Sequence, residues 1–314
     1  MSATQTQLGL ADLAGNPRRR RKESRIRRFF LSAAVFSVLI NVAIVLSLLD
    51  GTLDFFRILS AESGLGSLWS TGWFPRRGLF DVKTIFVGTV MVALVGMLVA
   101  APLGLGAALY LSEYASRRTR RVLKPILELL AGIPSVVMGY FALRWINPEI
   151  VQRLSDSAPG FTIAAAGIGV GILVTPLVAS IAEDALHSVP GALREASYGL
   201  GAKKRATSVR VVVPAAVSGI VAALILGLSR AIGETLVVAI AAGATGGSLF
   251  SMNILEPGQT MTGAMASLAT GSDQVKGAGA AFPSLFMVGS LLFVFTLGLN
   301  IVSERFVRRV RRQY

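Results

Sequence analysis

Long apolar runs recur along the chain, separated by shorter polar stretches. Six of them, near 29–50, 84–112, 122–143, 161–182, 211–242 and 282–302, are long enough to cross a bilayer, which takes about 20 helical residues. The pattern predicts an all-α, polytopic membrane protein with six transmembrane helices. The second and fifth runs exceed a straight crossing, so they are tilted, broken or extended beyond the membrane. Pro102, Pro134 and Pro176 fall inside apolar stretches; each removes a backbone donor and predicts a kink or break. Glycines cluster within the runs, at Gly104 and Gly106, at Gly167, Gly169 and Gly171, and at Gly227 and Gly233. Such small residues let membrane helices approach closely.

The basic residues orient this pattern. Segments 1–28, 113–125, 183–210 and 303–314 together hold 23 Lys/Arg, and segments 51–83, 144–160 and 247–281 hold seven. That asymmetry predicts both termini in the cytoplasm. The net charge of +14 is then mainly topology and lipid headgroup contact, and no nucleic-acid partner is expected. Basic residues before the first run also resemble a signal peptide, and Arg27-Arg28-Phe29-Phe30-Leu31 resembles a twin-arginine signal. The run is about 22 residues, longer than the usual 7–15, and no A-x-A-like site follows Leu49, so an uncleaved anchor is expected.

Composition narrows the chemistry. Of 314 residues 53% are hydrophobic and 15% charged, where about 25% charged is usual for a soluble domain. The mean hydropathy is +0.64. Disorder and a disulfide scaffold are excluded by this apolar content and by the absence of Cys. With no Cys and one His, His187, no metal, haem or iron–sulfur cofactor is expected.

Segment 183–210 reads as a docking device. Pro190 suits the start of a helix. Leu193, Ala196, Ser197 and Leu200 then fall at helical spacing, and Gly199 and Gly201 end it. A short helix between two spans, with a face this apolar, is expected to seat against a soluble partner. The order Glu195-Ala196-Ser197, Gly201, Val211 and Val213-Pro214 resembles the EAA motif of ABC importer permeases. That resemblance implies that Glu195, Ala196, Ser197, Gly201 and Pro214 couple the chain to an ATPase subunit. The chain has no G-x-x-x-x-G-K-[ST] and no Gly-Lys pair, so it cannot build a P-loop phosphate cradle. Any ATP hydrolysis belongs to another chain, and no catalytic residue is assigned to this one.

Arg230 and Glu234 interrupt the apolar run 224–236. A charge at mid-membrane costs about 2.5–3.5 kcal/mol on insertion scales. Spaced i and i+4, the two are expected to share a helix face and to pair. A guanidinium grips phosphate-type oxyanions with two parallel hydrogen bonds, which suggests an anion path. The bland alternatives are a structural ion pair or an arginine snorkelling to the outer surface.

Segment 228–235 (Leu-Ser-Arg-Ala-Ile-Gly-Glu-Thr) resembles the GRALGET segment of the PstC-type permeases of the phosphate-specific ABC importer. Pro102-Leu103-Gly104 with Tyr110-Leu111-Ser112-Glu113-Tyr114-Ala115, Ala131–Gly139, and Glu183-Asp184-Ala185-Leu186 resemble the same family. The resemblance implies the type I ABC importer permease fold and phosphate as cargo. It implies an anion-path role for Arg230, Glu234 and Thr235. It also implies a second permease (PstA-like), ATP-binding subunits (PstB-like) and an extracytoplasmic phosphate-binding protein (PstS-like). Permeases for sulfate, molybdate or phosphonate, and the sister PstA type, stay open, as do a lipid-phosphate enzyme using Glu234 as base and a non-transporting scaffold.

The expected organisation is a basic tail 1–28, a first span and outer loop 29–83, a permease core 84–303 and a basic tail 304–314. Phe55, Phe56, Trp69, Trp73, Phe74, Arg76 and Arg77 of the outer loop are read as interface anchors or as binding-protein contacts. Met261 to Leu268 is expected to form a short helix on the surface or under a partner. Glu128 is given no role, and His187 reads as a contact or surface residue.

Overall fold

The computed structural model describes residues 17–62, 64–243, 246–271 and 279–311, with side chains from 23 to 305 within those stretches. Much of the two basic tails lies outside the described residues. The chain divides into two compact units at Asp50. In the first unit, helix α1 (Pro17–Glu62) begins, and its apolar side chains from Phe29 to Leu49 are largely exposed. The second unit carries the rest.

There, α2 (Val82–Tyr114) and α5 (Ile163–His187) are unbroken and apolar, and so is α11 (Ser284–Arg311) over its span Ser284–Arg305. Together with Glu23–Glu62 these are the four helices, among the described residues, that are individually long and apolar enough to cross a membrane. Two bent pairs raise the number to six. Helix α3 (Arg117–Leu130) meets α4 (Ser135–Leu154) at 86°, and α7 (Lys204–Ala215) meets α8 (Val217–Ile232) at 71°. The third and fifth expected runs are therefore fractured. In the third, Gly132 and Pro134 occupy the break; proline bars the helix from continuing through its neighbour, and Arg117, Arg120, Arg121 and Lys124 make α3 too basic along one side to cross. Helix α4 then continues to Leu154, into the stretch read as an outer loop. Pro102 and Pro176 stand inside unbroken helices.

The second unit is centred on the α2–α5 seam, which glycine makes possible. A methyl on Gly171 would lie 2.6 Å from the Gly96 carbonyl, and one on Gly167 would lie 2.6 Å from Val95 Cβ. Contact this close gives dispersion energy where lipid offers no hydrophobic drive. Gly104, Gly169 and Gly227 are packed as tightly, whereas Gly106 faces open space and Gly233 meets only its own turn. A second core gathers Phe55, Leu59, Trp73 and Phe80 with Met261, Ala264 and Val288. Phe55 and Trp73 are thus core residues and not anchors, while Trp69 is 72% exposed. Strands β1 (Gly72–Phe74), β2 (Leu79–Phe80) and β3 (Ser248–Leu249) form one small antiparallel sheet in the order β2-β1-β3, the only strands among the described residues.

Candidate functional site

The arginine–glutamate segment is not one helix. Helix α8 ends at Ile232, residues 233–235 are irregular, and a short helix α9 (Leu236–Ala241) follows. The exposed Arg230 stands on the last turn of α8, 13 residues beyond the bend, or about 20 Å along the axis at 1.5 Å per residue. Its guanidinium has no hydrogen bond or ion pair among the described residues. Glu234 does not pair with it. The Glu234 carboxylate instead accepts hydrogen bonds from the backbone N–H of Thr235 (3.2 Å) and Val237 (3.4 Å). A carboxylate is favoured at that position because free N–H groups and the helix dipole converge there. The expected i,i+4 pair is corrected by this geometry: Gly233 ends α8 before the turn that would align the side chains.

The break is fastened from a neighbouring element. Thr262 Oγ1 donates to the Glu234 carbonyl at 2.8 Å, and Thr235 Oγ1 lies 3.4 Å from the Gly233 carbonyl. Thr262 belongs to α10 (Met261–Ala269), capped by Thr260, whose hydroxyl accepts from Gly263 N–H. Helix α10 does not lie on the surface: Met261, Ala264 and Leu268 are buried, and Met261 N–H donates to Thr89 Oγ1 of α2 at 2.9 Å. A cavity of about 480 Å³ opens beside the break, lined by Leu236 and Ala239 of α9, Gln259, Ser267 and Thr270, with Arg76 at its wall. Neither Thr262 nor this cavity was legible from spacing; the signal was the polar interval Gly258-Gln259-Thr260-Met261-Thr262 ahead of a run of small and apolar residues.

The second site is cytoplasmic in the orientation expected from the basic residues. Helix α6 (Gly191–Gly199) follows Pro190 and ends at Leu200 and Gly201. Gly201 has φ +79°, a left-handed stop that suits glycine. Leu193, Tyr198 and Leu200 are exposed, Leu200 at 89%, and Glu195 and Ala196 lie on exposed positions as well. Ser197 turns inward, its hydroxyl 2.9 Å from that of Thr207. Pro214 is half-buried on α7, before the 71° bend.

Around α6 the acids of the motif-like stretches find partners. Arg194 donates to Glu113 Oε1 at 2.8 Å and to the carbonyls of Val189 (2.6 Å) and Leu186 (2.9 Å). The fully buried Glu183 binds Arg120 and, at 2.8 Å, Lys124; Lys124 also bonds Asp184. Burial works to lower the Lys124 pKa, but the hydrogen bonds and charges of Asp184 and Glu183 outweigh it and hold the ammonium above the ordinary lysine value. His187 contacts Arg120. Arg117, Arg121 and Glu128 line the cavity of about 650 Å³ above this frame.

Comparison with known proteins places these features. Residues 100–312 match the family described as "Binding-protein-dependent transport system inner membrane component". A Xylella fastidiosa protein named "Phosphate transport system permease protein PstC" is 31% identical over 93% of this chain and 94% of its own length. The "Probable ABC transporter permease protein YqgH" of Bacillus subtilis is 34% identical over 74% of this chain and 75% of its own. Among solved structures, a chain of a bacterial alginate ABC transporter, in complex with its alginate-bound periplasmic protein, superposes with TM-score 0.60 at 16% identity, covering 92% of this chain and 97% of that one. A chain of the MetNI methionine ABC transporter gives 0.53 at 18%, covering 73% and 93%. These likenesses carry the type I importer permease fold. With more than half its length matched, the chain belongs to the family of binding-protein-dependent transport system inner membrane components, the membrane-spanning permeases of ABC importers.

Proposed function

We propose that the chain is a PstC-type permease subunit that carries inorganic phosphate across the plasma membrane, driven by ATP hydrolysis on separate subunits. The observation that carries this reading is Arg230: a permanently charged guanidinium, without a partner among the described residues, at the end of an apolar helix and beside a backbone break held by Glu234 and Thr262. An irregular backbone at membrane depth is tolerated where it lines a cavity, and broken helices supply ion and anion sites in transporters. Arg230 offers the oxyanion two parallel donors. Glu234 and Thr235 fix the turn that presents it, and passage requires that this binding stay weak enough for release. The curated relatives of similar length that are named as phosphate permeases support the cargo.

Helix α6 docks the ATP-binding subunits, PstB-like, through Glu195, Ala196 and the exposed Leu193 and Leu200; Ser197, Gly201 and Pro214 shape the loop. A PstA-like sister permease completes the path and a PstS-like binding protein delivers phosphate. The residues hold no ATPase site, and both termini are cytoplasmic, so segment 183–210 and the basic tails face the ATPase side. The test is labelled-phosphate uptake in starved cells lacking this chain, complemented with wild type or Arg230→Gln, with unlabelled sulfate and molybdate as competitors. Wild type restores uptake that only phosphate competes away, and Arg230→Gln reaches the membrane without restoring it. Uptake suppressed equally by sulfate or molybdate, or restored by Arg230→Gln, sinks the reading.

A further inference from the structure

The end of α2 carries a motif-like stretch, Tyr110 to Ala115, to which the anion path gives no work. Its last turn widens over Tyr110–Tyr114, which swings Glu113 under α6. The Glu113 side chain is 3% exposed and that of Arg194 is 20% exposed. A single guanidinium thus joins three elements: α6 by its own backbone, α2 through Glu113, and the C-terminal end of α5 with the turn after it, through the Leu186 and Val189 carbonyls. The planar five-donor fork of arginine suits this; lysine cannot reach three acceptors with fixed angles. The other arm of the loop reaches the same turn, since Lys204 Nζ lies 5.1 Å from the Tyr114 ring centre. Helices α2 and α5 are also the two held tightest to each other, through Gly96, Gly167 and Gly171.

We infer that Arg194 is a positioning residue, the strap by which a displacement of α6 is delivered to the α2–α5 pair instead of being absorbed by the loop. This rests on the docking role proposed above for α6. Arg194 points into this chain and touches no anion-path residue, so its work is transmission and not binding.

The test uses the complete importer reconstituted in vesicles with its binding protein, and reads phosphate taken up per ATP hydrolysed. Arg194→Ala is expected to co-purify with the ATP-binding subunits and to lose at least about tenfold in that ratio, within the usual range of coupling between sites. Glu113→Gln, which leaves both carbonyl bonds intact, loses less, and Arg194→Lys falls between. An unchanged ratio in Arg194→Ala overturns the inference, as does uptake falling in step with hydrolysis at constant ratio. If Arg194→Ala fails to assemble, Glu113→Gln decides: an unchanged ratio there overturns it too. Docking is read separately, by cross-linking Leu200→Cys to the ATP-binding subunit in this otherwise cysteine-free chain. A cross-link with an unchanged ratio removes the strap alone; no cross-link removes the docking reading first.

Discussion

Arg194 and Glu113 lie 81 residues apart in sequence and meet; Arg230 and Glu234 lie four apart and do not. The first pair is folded inward, with the fork bonded to three acceptors of the chain. In the second, the acid is spent on a helix end and the cation is left exposed at the rim of a break. Proximity in sequence is thus a poor guide to partnership: backbone direction decides it, and the turn at Gly233 redirects the chain between the two charges. The contrast teaches how to sort charges in an apolar protein. Those satisfied within the chain hold its shape, and one left exposed beside a break in an apolar helix is available to a ligand.

The sharpest way to break that sorting is to remove a satisfied acid. Glu183→Ala takes the buried carboxylate from Arg120 and Lys124, leaving them only His187 and Asp184, and is expected to cost about 1–3 kcal/mol of stability, read as a lowered unfolding midpoint of the purified protein; uptake per correctly assembled complex stays near wild type. Arg230→Gln should do the reverse, leaving the midpoint in place while uptake drops by about 100-fold, the scale of losing a charged bidentate contact. If both variants lose stability and uptake together, the division between holding and handling charges fails. Gly171→Ala tests the seam without touching charge: its methyl meets the Gly96 carbonyl at 2.6 Å, and overpacking of this kind costs about 1–3 kcal/mol. A midpoint unmoved by Gly171→Ala would show that α2 and α5 can separate freely.

The smallest effect concerns pH. The Lys124 pKa is raised on folding, so its share of stability is complete below the ordinary lysine value and is lost only as pH climbs through the raised one. The clasp of α3 on α5 should therefore be flat across the neutral range and weaken only in strong alkali. The difference in unfolding midpoint between wild type and Lys124→Arg isolates this group, and a difference that grows toward acid would contradict it.

Hydropathy made the unbroken helices legible, because α2, α5 and α11 are apolar over their full crossings. Helix α6 was legible from Pro190, the spacing of Leu193, Ala196 and Leu200, and the glycine stop at Gly201. The fractures were only half legible. Pro134 announced the first; at the second, where the chain turns by 71° after Ala215, Pro214 stands two residues before the turn but suits equally the start of a helix, so it did not mark a fracture. Helical spacing misled at Arg230 and Glu234 because periodicity counts residues and does not register that Gly233 and Thr235 release the helix. The burial of α10 was missed because methionine and small residues look alike on a surface and in a core; only the tertiary bonds from Thr262 and Met261 separate the two. The sites of Glu113, a lone acid at the end of an apolar helix, and of Glu183, half of an acidic pair with Asp184 at the end of another, carried a signal in the sequence.

The glycine seam between α2 and α5 also bears on how the protein is made. Forty-eight residues, including all of α3 and α4, separate Tyr114 from Ile163, and synthesis at about 5–20 residues per second puts a few seconds between the two halves of the seam. During that interval α2 has a narrow, side-chain-poor groove along Gly96 and Gly104 with nothing in it but lipid or insertion machinery. A ribosome pause inside α4 would lengthen the exposure, and premature pairing of that groove with a stray small-residue helix would trap the nascent chain before α5 arrives.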